Sequence, residues 1–238
     1  WRSPKGIALA ALDPWLRRWD AAAAARADRY LANSRVVRDR IRAAYGIDAE
    51  VLPPPFGVDA DGPLTPVPEL SGWAEEGYLL VVSRLLPYKN VDAAIEAVRG
   101  TDHRLAVVGD GPLRGELAAT APPNVQLVRD LTDAQLRWVY AHARRLLAPS
   151  LEDFGLTPLE AAAAGVPTVA LRGGGYLDTV LEGTTGVLVD EVTPRAIAAG
   201  IDTAEQIPWD APTIRAHAAG FGEERFAERL RQIAADLG

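Results

Sequence analysis

The sequence predicts an α/β fold: a Rossmann-like parallel sheet with helices on both faces. Two observations carry the expectation. From residue 78 onward, short apolar, β-branched runs alternate six times with helical stretches. The runs are continuous rather than polar/apolar alternating, as in strands covered on both sides. Six such strand–helix units make a doubly wound sheet. No sequence repeat of 20–50 residues underlies the alternation, so it is architectural.

Taken in order, the elements begin with a helix expected from Asp13-Pro14, an N-cap and N1 pair. Leu12, Trp15, Leu16 and Trp19 form one apolar face, with Arg17, Arg18 and Arg26 on or near the remaining surface. That face either packs on a neighbouring domain, the favoured reading, or meets anionic membrane. "DRYLANS" (28–34) reads as a strand ending in a cap, and 35–46 as a helix closed by Gly46. "AEVLPPPFGVD" (49–59) reads as a strand entering a proline turn, and 61–72, rich in Pro and Gly, as a linker. Strands are then expected at 78–83, 104–109, 125–128, 145–150, 167–171 and 186–190. Helices are expected at 90–99, from near Pro112, and at 133–143, 158–164, 176–182 and 194–204, with two more at 212–219 and 223–236.

Composition bounds the function. A net charge of −7 argues against a general nucleic-acid binder. The absence of cysteine excludes disulfides and thiolate metal sites and fits a cytoplasmic protein. His103, His142 and His217 are scattered, without metal-ligand spacing. No stretch of 18 apolar residues and no signal peptide is visible. The chain opens on Trp1 and holds no methionine, so it is expected to be a piece of a longer protein. Charge is split: residues 1–45 carry ten basic groups against four acidic, and the remainder 15 against 28. Such asymmetry suggests segments with different duties.

In an open parallel sheet, ligands bind beyond the carboxyl ends of the strands. Arg84 and Lys89 follow the first strand of the repeating part, where two cations suit a diphosphate. "GDGP" (109–112), containing Gly109, lets a ligand approach backbone and helix end, although glycines there are often only turns. It is not a dinucleotide fingerprint, which counts against a standard NAD enzyme. "RGGG" (172–175) carries the same ambiguity. "LEDFGLTPLE" (151–160) follows the fourth strand. There Glu152 has carboxylate oxygens for sugar hydroxyls, and the amides of Phe154, Gly155 and Leu156 can face the cleft. Glu160 has two readings: a capping box with Thr157 at N-cap and Pro158 at N1, or a ligand for a second diol.

These motifs, with "SRLLPYKNVDAAIEAV", "LAVVGDGPL", "NVQLV…LTDAQL", "GGGYLDTVLEGTTGVLVD" and "ANS…AEVLPPPFGVD", come in the order that resembles family 4 glycosyltransferases. That family is retaining, of GT-B fold, and uses nucleotide-sugar donors. The wording is most similar to the bacterial GDP-mannose-dependent branch, over about residues 28–230. The resemblance implies a tail of the acceptor domain over 1–60, the linker at 61–72, the nucleotide-sugar domain over 73–220, and a final helix, 221–238, packing back toward the acceptor domain. It implies that Arg84 and Lys89 hold the diphosphate, Glu152 bonds the donor sugar beside the amides of 154–156 and Thr157, Glu160 bonds the ribose, and backbone near Leu131 holds the base. The donor is a substrate; no cofactor and no metal are expected, and Asp110 and Asp153 make no D-x-D pair. The acceptor glycan or lipid is not read from the sequence. Two positions depart from the pattern: Phe56-Gly57 stands where Asn-Gly is usual, and Arg129 where glycine is common. Two other readings stay open: another GT-B enzyme such as an epimerase, and a non-catalytic nucleotide-binding module.

Overall fold

In the computed structural model, residues 4–57 and 61–237 are described, with side chains within the first helix described from Leu12 onward. The chain forms α1 (Pro4–Ala24), β1 (Leu31–Ala32), α2 (Arg35–Tyr45) and β2 (Glu50–Val51). There follow β3 (Tyr78–Val82), α3 (Val91–Ala97), β4 (Leu105–Val108), α4 (Arg114–Thr120), β5 (Val125–Val128) and α5 (Asp133–Ala141). The rest comprises β6 (Ala143–Ala148), α6 (Leu156–Ala163), β7 (Thr168–Leu171), α7 (Tyr176–Thr179), β8 (Gly186–Val189), α8 (Pro194–Glu205), α9 (Ala211–Ala219) and α10 (Glu223–Ala235). Strands β3–β8 form one parallel sheet in the order β5-β4-β3-β6-β7-β8, and β1 and β2 form a separate parallel pair. The expected fold is therefore the fold observed.

Side chains of successive strand residues point to opposite faces. On one face Leu79, Val81, Leu105, Val107 and Leu147 pack with Ile95 of α3 and Ile197 and Ile201 of α8. On the other, Tyr78, Leu80, Ala106 and Leu146 pack with Trp138 and Tyr140 of α5. Fully burying one such leucine or isoleucine contributes about 1.5–3 kcal/mol, which is what holds both helical layers on the sheet.

Three expectations in the flanks change. The first helix does not start at Asp13-Pro14. It runs through Pro14, and Asp13 accepts from Arg17 Nε at 2.7 Å. The Ala- and Leu-rich sequence preceding Pro14 has high helix propensity and carries the helix across it. The strand that enters the proline turn of 49–59 is short, Glu50–Val51 only, and positions 58–60 lie outside the described residues. The 61–72 stretch is not a free tether. Val67 and Leu70 are buried in the α5-side core, Pro68–Trp73 form a 3₁₀ helix, and the Thr65 N–H donates to Ala134 O at 3.0 Å. Two apolar residues hidden among prolines fix it to the sheet without any regular period.

Two helix termini follow from sequence. Ser34, wholly buried, accepts from the Val37 N–H at 3.2 Å as the N-cap of α2, and Gly46 closes that helix at φ 68°. The capping box at Thr157 does not form. Helix α6 begins two residues early, at Leu156, with Gly155 at N-cap and no side-chain cap. Its glutamate, Glu160, faces α5 instead and accepts from the Tyr140 hydroxyl at 2.6 Å. Burial raises the Glu160 carboxyl above its ordinary value, against the lowering effect of the Tyr140 bond. Burial also holds the Tyr140 hydroxyl well above its ordinary value, with Glu160 adding to the effect.

Ser34→Ala is expected to cost about 1 kcal/mol of stability, read as a lower midpoint in chemical denaturation with an unchanged slope. For Glu160, the folded pKa lies above the unfolded one. Its burial therefore costs nothing below the unfolded pKa, and the penalty grows as pH rises through the folded value. Glu160→Gln keeps an acceptor for Tyr140 and removes the ionisation. Its melting temperature relative to the parent is expected to rise between about pH 4 and about pH 7; a difference independent of pH would contradict this.

Candidate active site

The strand order reverses between β3 and β6, and there the loops leaving the two strands diverge. A crevice opens at such a switch point. It is a cleft of about 330 Å³ lined by Val82, Ser83 and Lys89 at and after the end of β3, by Ala148–Ser150 and Glu152–Thr157 at and after the end of β6, and by Tyr176. Asn33 and Pro54 of the N-terminal segment close its other side.

Across the gap, Lys89 Nζ meets Glu152 Oε1 at 2.5 Å, with both side chains about one-fifth exposed. Asn90 spans the same gap in backbone terms. It sits at φ 51°, a left-handed conformation that asparagine tolerates, and its Nδ2 donates to Pro149 O and to Tyr88 O, each at 3.0 Å. This bond ties the loop after β3 to the loop after β6.

The Glu152 loop is held from behind by the segment after β7. The Gly175 N–H donates to Glu152 O at 2.8 Å, and the Tyr176 hydroxyl and Ser150 Oγ lie 3.0 Å apart. The Tyr176 ring presses so closely on Gly155, at φ 90°, that a β-carbon there would come within 2.5 Å of it. Only glycine fits, and this contact sets where α6 begins. Burial raises the Tyr176 hydroxyl far above its ordinary range, so it stays protonated. The "RGGG" loop is thus the support of the Glu152 loop.

Among the described residues, no protein acceptor takes the amides of Phe154, Gly155, Leu156 or Thr157. Pro158 has no amide. The amino end of α6 therefore presents a cluster of free N–H donors to the cleft, with the positive end of the helix dipole behind them. Lys89 and this helix end together suit an anion, and Glu152 beside them suits a hydroxylated group.

The remaining expected site residues lie around this centre. Arg84 is exposed at the end of β3 and makes no ion pair among the described residues, leaving its guanidinium free for a ligand. Gly109, after β4, is required by packing: at φ 151° its β-carbon would fall 1.9 Å from Ser83 O. Leu131 follows β5 and packs on the α5-side core, outside the cleft lining. Glu160 lines a second cavity of about 330 Å³ with Asp61, Arg137, Tyr140 and Arg215, not the cleft that holds Glu152. The acids near the cleft are engaged elsewhere. Asp153 pairs with Arg40 of α2, and Asp110 lies 3.5 Å from Arg129. Among the described residues, the side chains that converge closely enough for a metal are His103, Asp202 and Glu205, at the opposite edge of the sheet, and Arg144 already bonds Glu205 at 2.9 Å.

Sequence reasoning missed Asn90, Tyr176, Asn33 and the arginines of α2. Asn90 directly follows Lys89, and an asparagine before a helix is a signal for a special turn. The others act across long separations and leave no local mark.

Several known proteins are similar to this chain. A mannosyltransferase of Mycolicibacterium smegmatis, the GDP-mannose-dependent alpha-(1-6)-phosphatidylinositol monomannoside mannosyltransferase, is 33% identical over 193 residues, covering 71% of this chain and 50% of its own length. A D-inositol 3-phosphate glycosyltransferase of Actinosynnema mirum is 33% identical over 242 residues, covering 87% of this chain and 57% of its own length. The chain thus spans little more than half the length of these relatives. Among solved structures, sucrose-phosphate synthase from Thermosynechococcus elongatus superposes with a TM-score of 0.77 at 21% identity, over 93% of this chain and 61% of that one. Anabaena HepE in complex with UDP-glucose gives a TM-score of 0.72 at 22% identity, over 91% and 67%. Both share the fold. Residues 71–219 match the family model described as "Glycosyl transferases group 1", and the chain belongs to that family.

Proposed function

We propose that the protein transfers a hexose, mannose favoured, from a nucleotide-sugar donor to an acceptor glycan or lipid with retention, and that this chain supplies mainly the donor site. The observation that carries the proposal is the Lys89–Glu152 pair beside the free amino end of α6, at the switch point of the sheet. The relatives support the class. The M. smegmatis protein is named for GDP-mannose and a lipid acceptor, and HepE is seen with UDP-glucose. In the domain reading, residues 1–60 are the tail of an acceptor domain, 61–72 the connection, 73–220 the donor domain, and 221–238 the return helix.

In this reading Lys89, Arg84 and the α6 amides meet the diphosphate. Lys89 exchanges Glu152 for phosphate oxygen, and the released carboxylate accepts from sugar hydroxyls. The anomeric C–O bond to phosphate breaks, the acceptor oxygen bonds to the same face, and its proton passes to the leaving phosphate. Cations already in place stabilise the charge that grows on the leaving group, so the scheme contains no metal. The backbone at Gly109 and Leu131 flanks the nucleoside. Glu160 as ribose ligand rests on the resemblance alone, since Tyr140 holds its carboxylate.

Among the described residues, no helix is long and apolar enough to cross a membrane. The proposed location is the cytoplasm, with contact at the inner membrane face. Trp15 and Trp19 of α1, each more than 60% exposed, support that contact together with the neighbouring Arg18.

Titration of the protein with GDP-mannose, UDP-glucose and ADP-glucose tests the proposal. Binding of one donor is expected, weakened roughly 10-fold or more by Glu152→Ala, because a charged acceptor for sugar hydroxyls is lost. Arg84→Ala is expected to lower transfer by roughly 10-fold or more, since its charge counts most as the leaving group departs. No binding to any of the three would end the proposal, and binding indifferent to Glu152→Ala would end the site assignment.

A further inference from the structure

The N-terminal segment is fastened to the sheet domain at one largely buried carboxylate. Asp178, on α7, accepts from the backbone N–H of Arg35 at 2.7 Å with one oxygen, and from Arg35 Nε with the other. Arg35 Nη2 also donates to Leu177 O at 2.7 Å. The Asp178 side chain is 11% exposed, whereas Arg35 is 61% exposed. Arg35 is the first residue of α2, so Asp178 caps that helix from 143 residues away. A carboxylate that accepts from a helix amino end with one oxygen and from a guanidinium with the other combines a dipole contact with a charge-assisted bond.

What Asp178 is attached to gives the contact its meaning. Helix α7 has four residues, too few to hold a helix without tertiary support. One end of it is Gly175, whose N–H bonds Glu152 O, and it carries Tyr176, whose ring fixes Gly155 and whose hydroxyl meets Ser150. Just before Arg35 stand Ser34, the N-cap, and Asn33, which lines the cleft facing Glu152 and Lys89. A second pair, Arg40 with Asp153, joins the same two parts next to Glu152, but both its side chains are more than half exposed and it adds little.

We propose that Asp178 is a positioning residue: by capping α2 and gripping Arg35 it fixes α7, and through α7 the loop that presents Glu152 to the donor sugar. The same contact holds Asn33 on the opposite wall, so one carboxylate sets the width of the cleft. This rests on the donor-site reading of Glu152.

The test is a double-mutant cycle on donor affinity, using whichever of GDP-mannose, UDP-glucose or ADP-glucose the parent binds. Asp178→Asn keeps the shape of the side chain and removes its charge; it is expected to weaken donor binding roughly 10-fold, as for a lost hydrogen bond to a charged group. Glu152→Ala weakens binding by itself. If Asp178 acts through Glu152, the two losses do not add, and Asp178→Asn has no further effect in the Glu152→Ala background. Asp178→Glu is expected to recover part of the affinity. Arg35→Ala opens the contact from the other side and carries the test if Asp178→Asn fails to fold. Parent-like affinity in Asp178→Asn, or in Arg35→Ala where that variant carries the test, overturns the inference, as do additive losses in the cycle. A parent that binds none of the three donors overturns the donor-site reading and this inference with it.

Discussion

The site depends on the reversal of strand order between β3 and β6. Where neighbouring strands send their chains to opposite sides, no crossover covers the gap, and two loops face each other over it. The polypeptide then has to hold those loops at a working distance. It does so with Asn90 donating to Pro149 O and with the Lys89–Glu152 pair. The first is a neutral bond from a side chain to the backbone of the facing loop. The second is made of the two groups best suited to a phosphate and a sugar. The tie between the two loops and the charged pair are thereby assigned to different residues.

Around that gap, support comes from behind and from the side. The segment after β7 has no chemistry of its own, yet its amide, its ring and its hydroxyl determine where Glu152, Gly155 and Ser150 lie. The basic surplus of residues 1–45 also finds a structural use. Arg35 and Arg40 meet Asp178 and Asp153 of the acidic remainder, so the uneven charge along the chain works as complementarity between two parts of one molecule.

The sheet was legible because each strand is a short continuous apolar run, and a run buried on both faces needs no distant partner to be recognised. Lys89, Glu152 and the α6 amides were legible because position after a strand implies position at the ligand edge. The start of α6 was not. Thr157-x-x-Glu160 satisfies a local capping pattern, but the packing of Tyr176 on Gly155 starts the helix earlier and turns Glu160 toward Tyr140. The packing of the 61–72 stretch was not legible either, since Val67 and Leu70 carry no period and find their pocket only once the sheet exists. The Arg35–Asp178 contact joins residues 143 apart, beyond any local rule.

The crossing between the N-terminal segment and the sheet domain begins with Pro53, Pro54 and Pro55, and Pro54 lines the cleft. Each proline ring locks φ and leaves the backbone little room to bend. A change in angle between the two parts is therefore not absorbed in that stretch. It is passed along a stiff rod, and the rod itself is part of the cleft wall. The wall of the cleft at Pro54 is therefore a stiff piece of backbone.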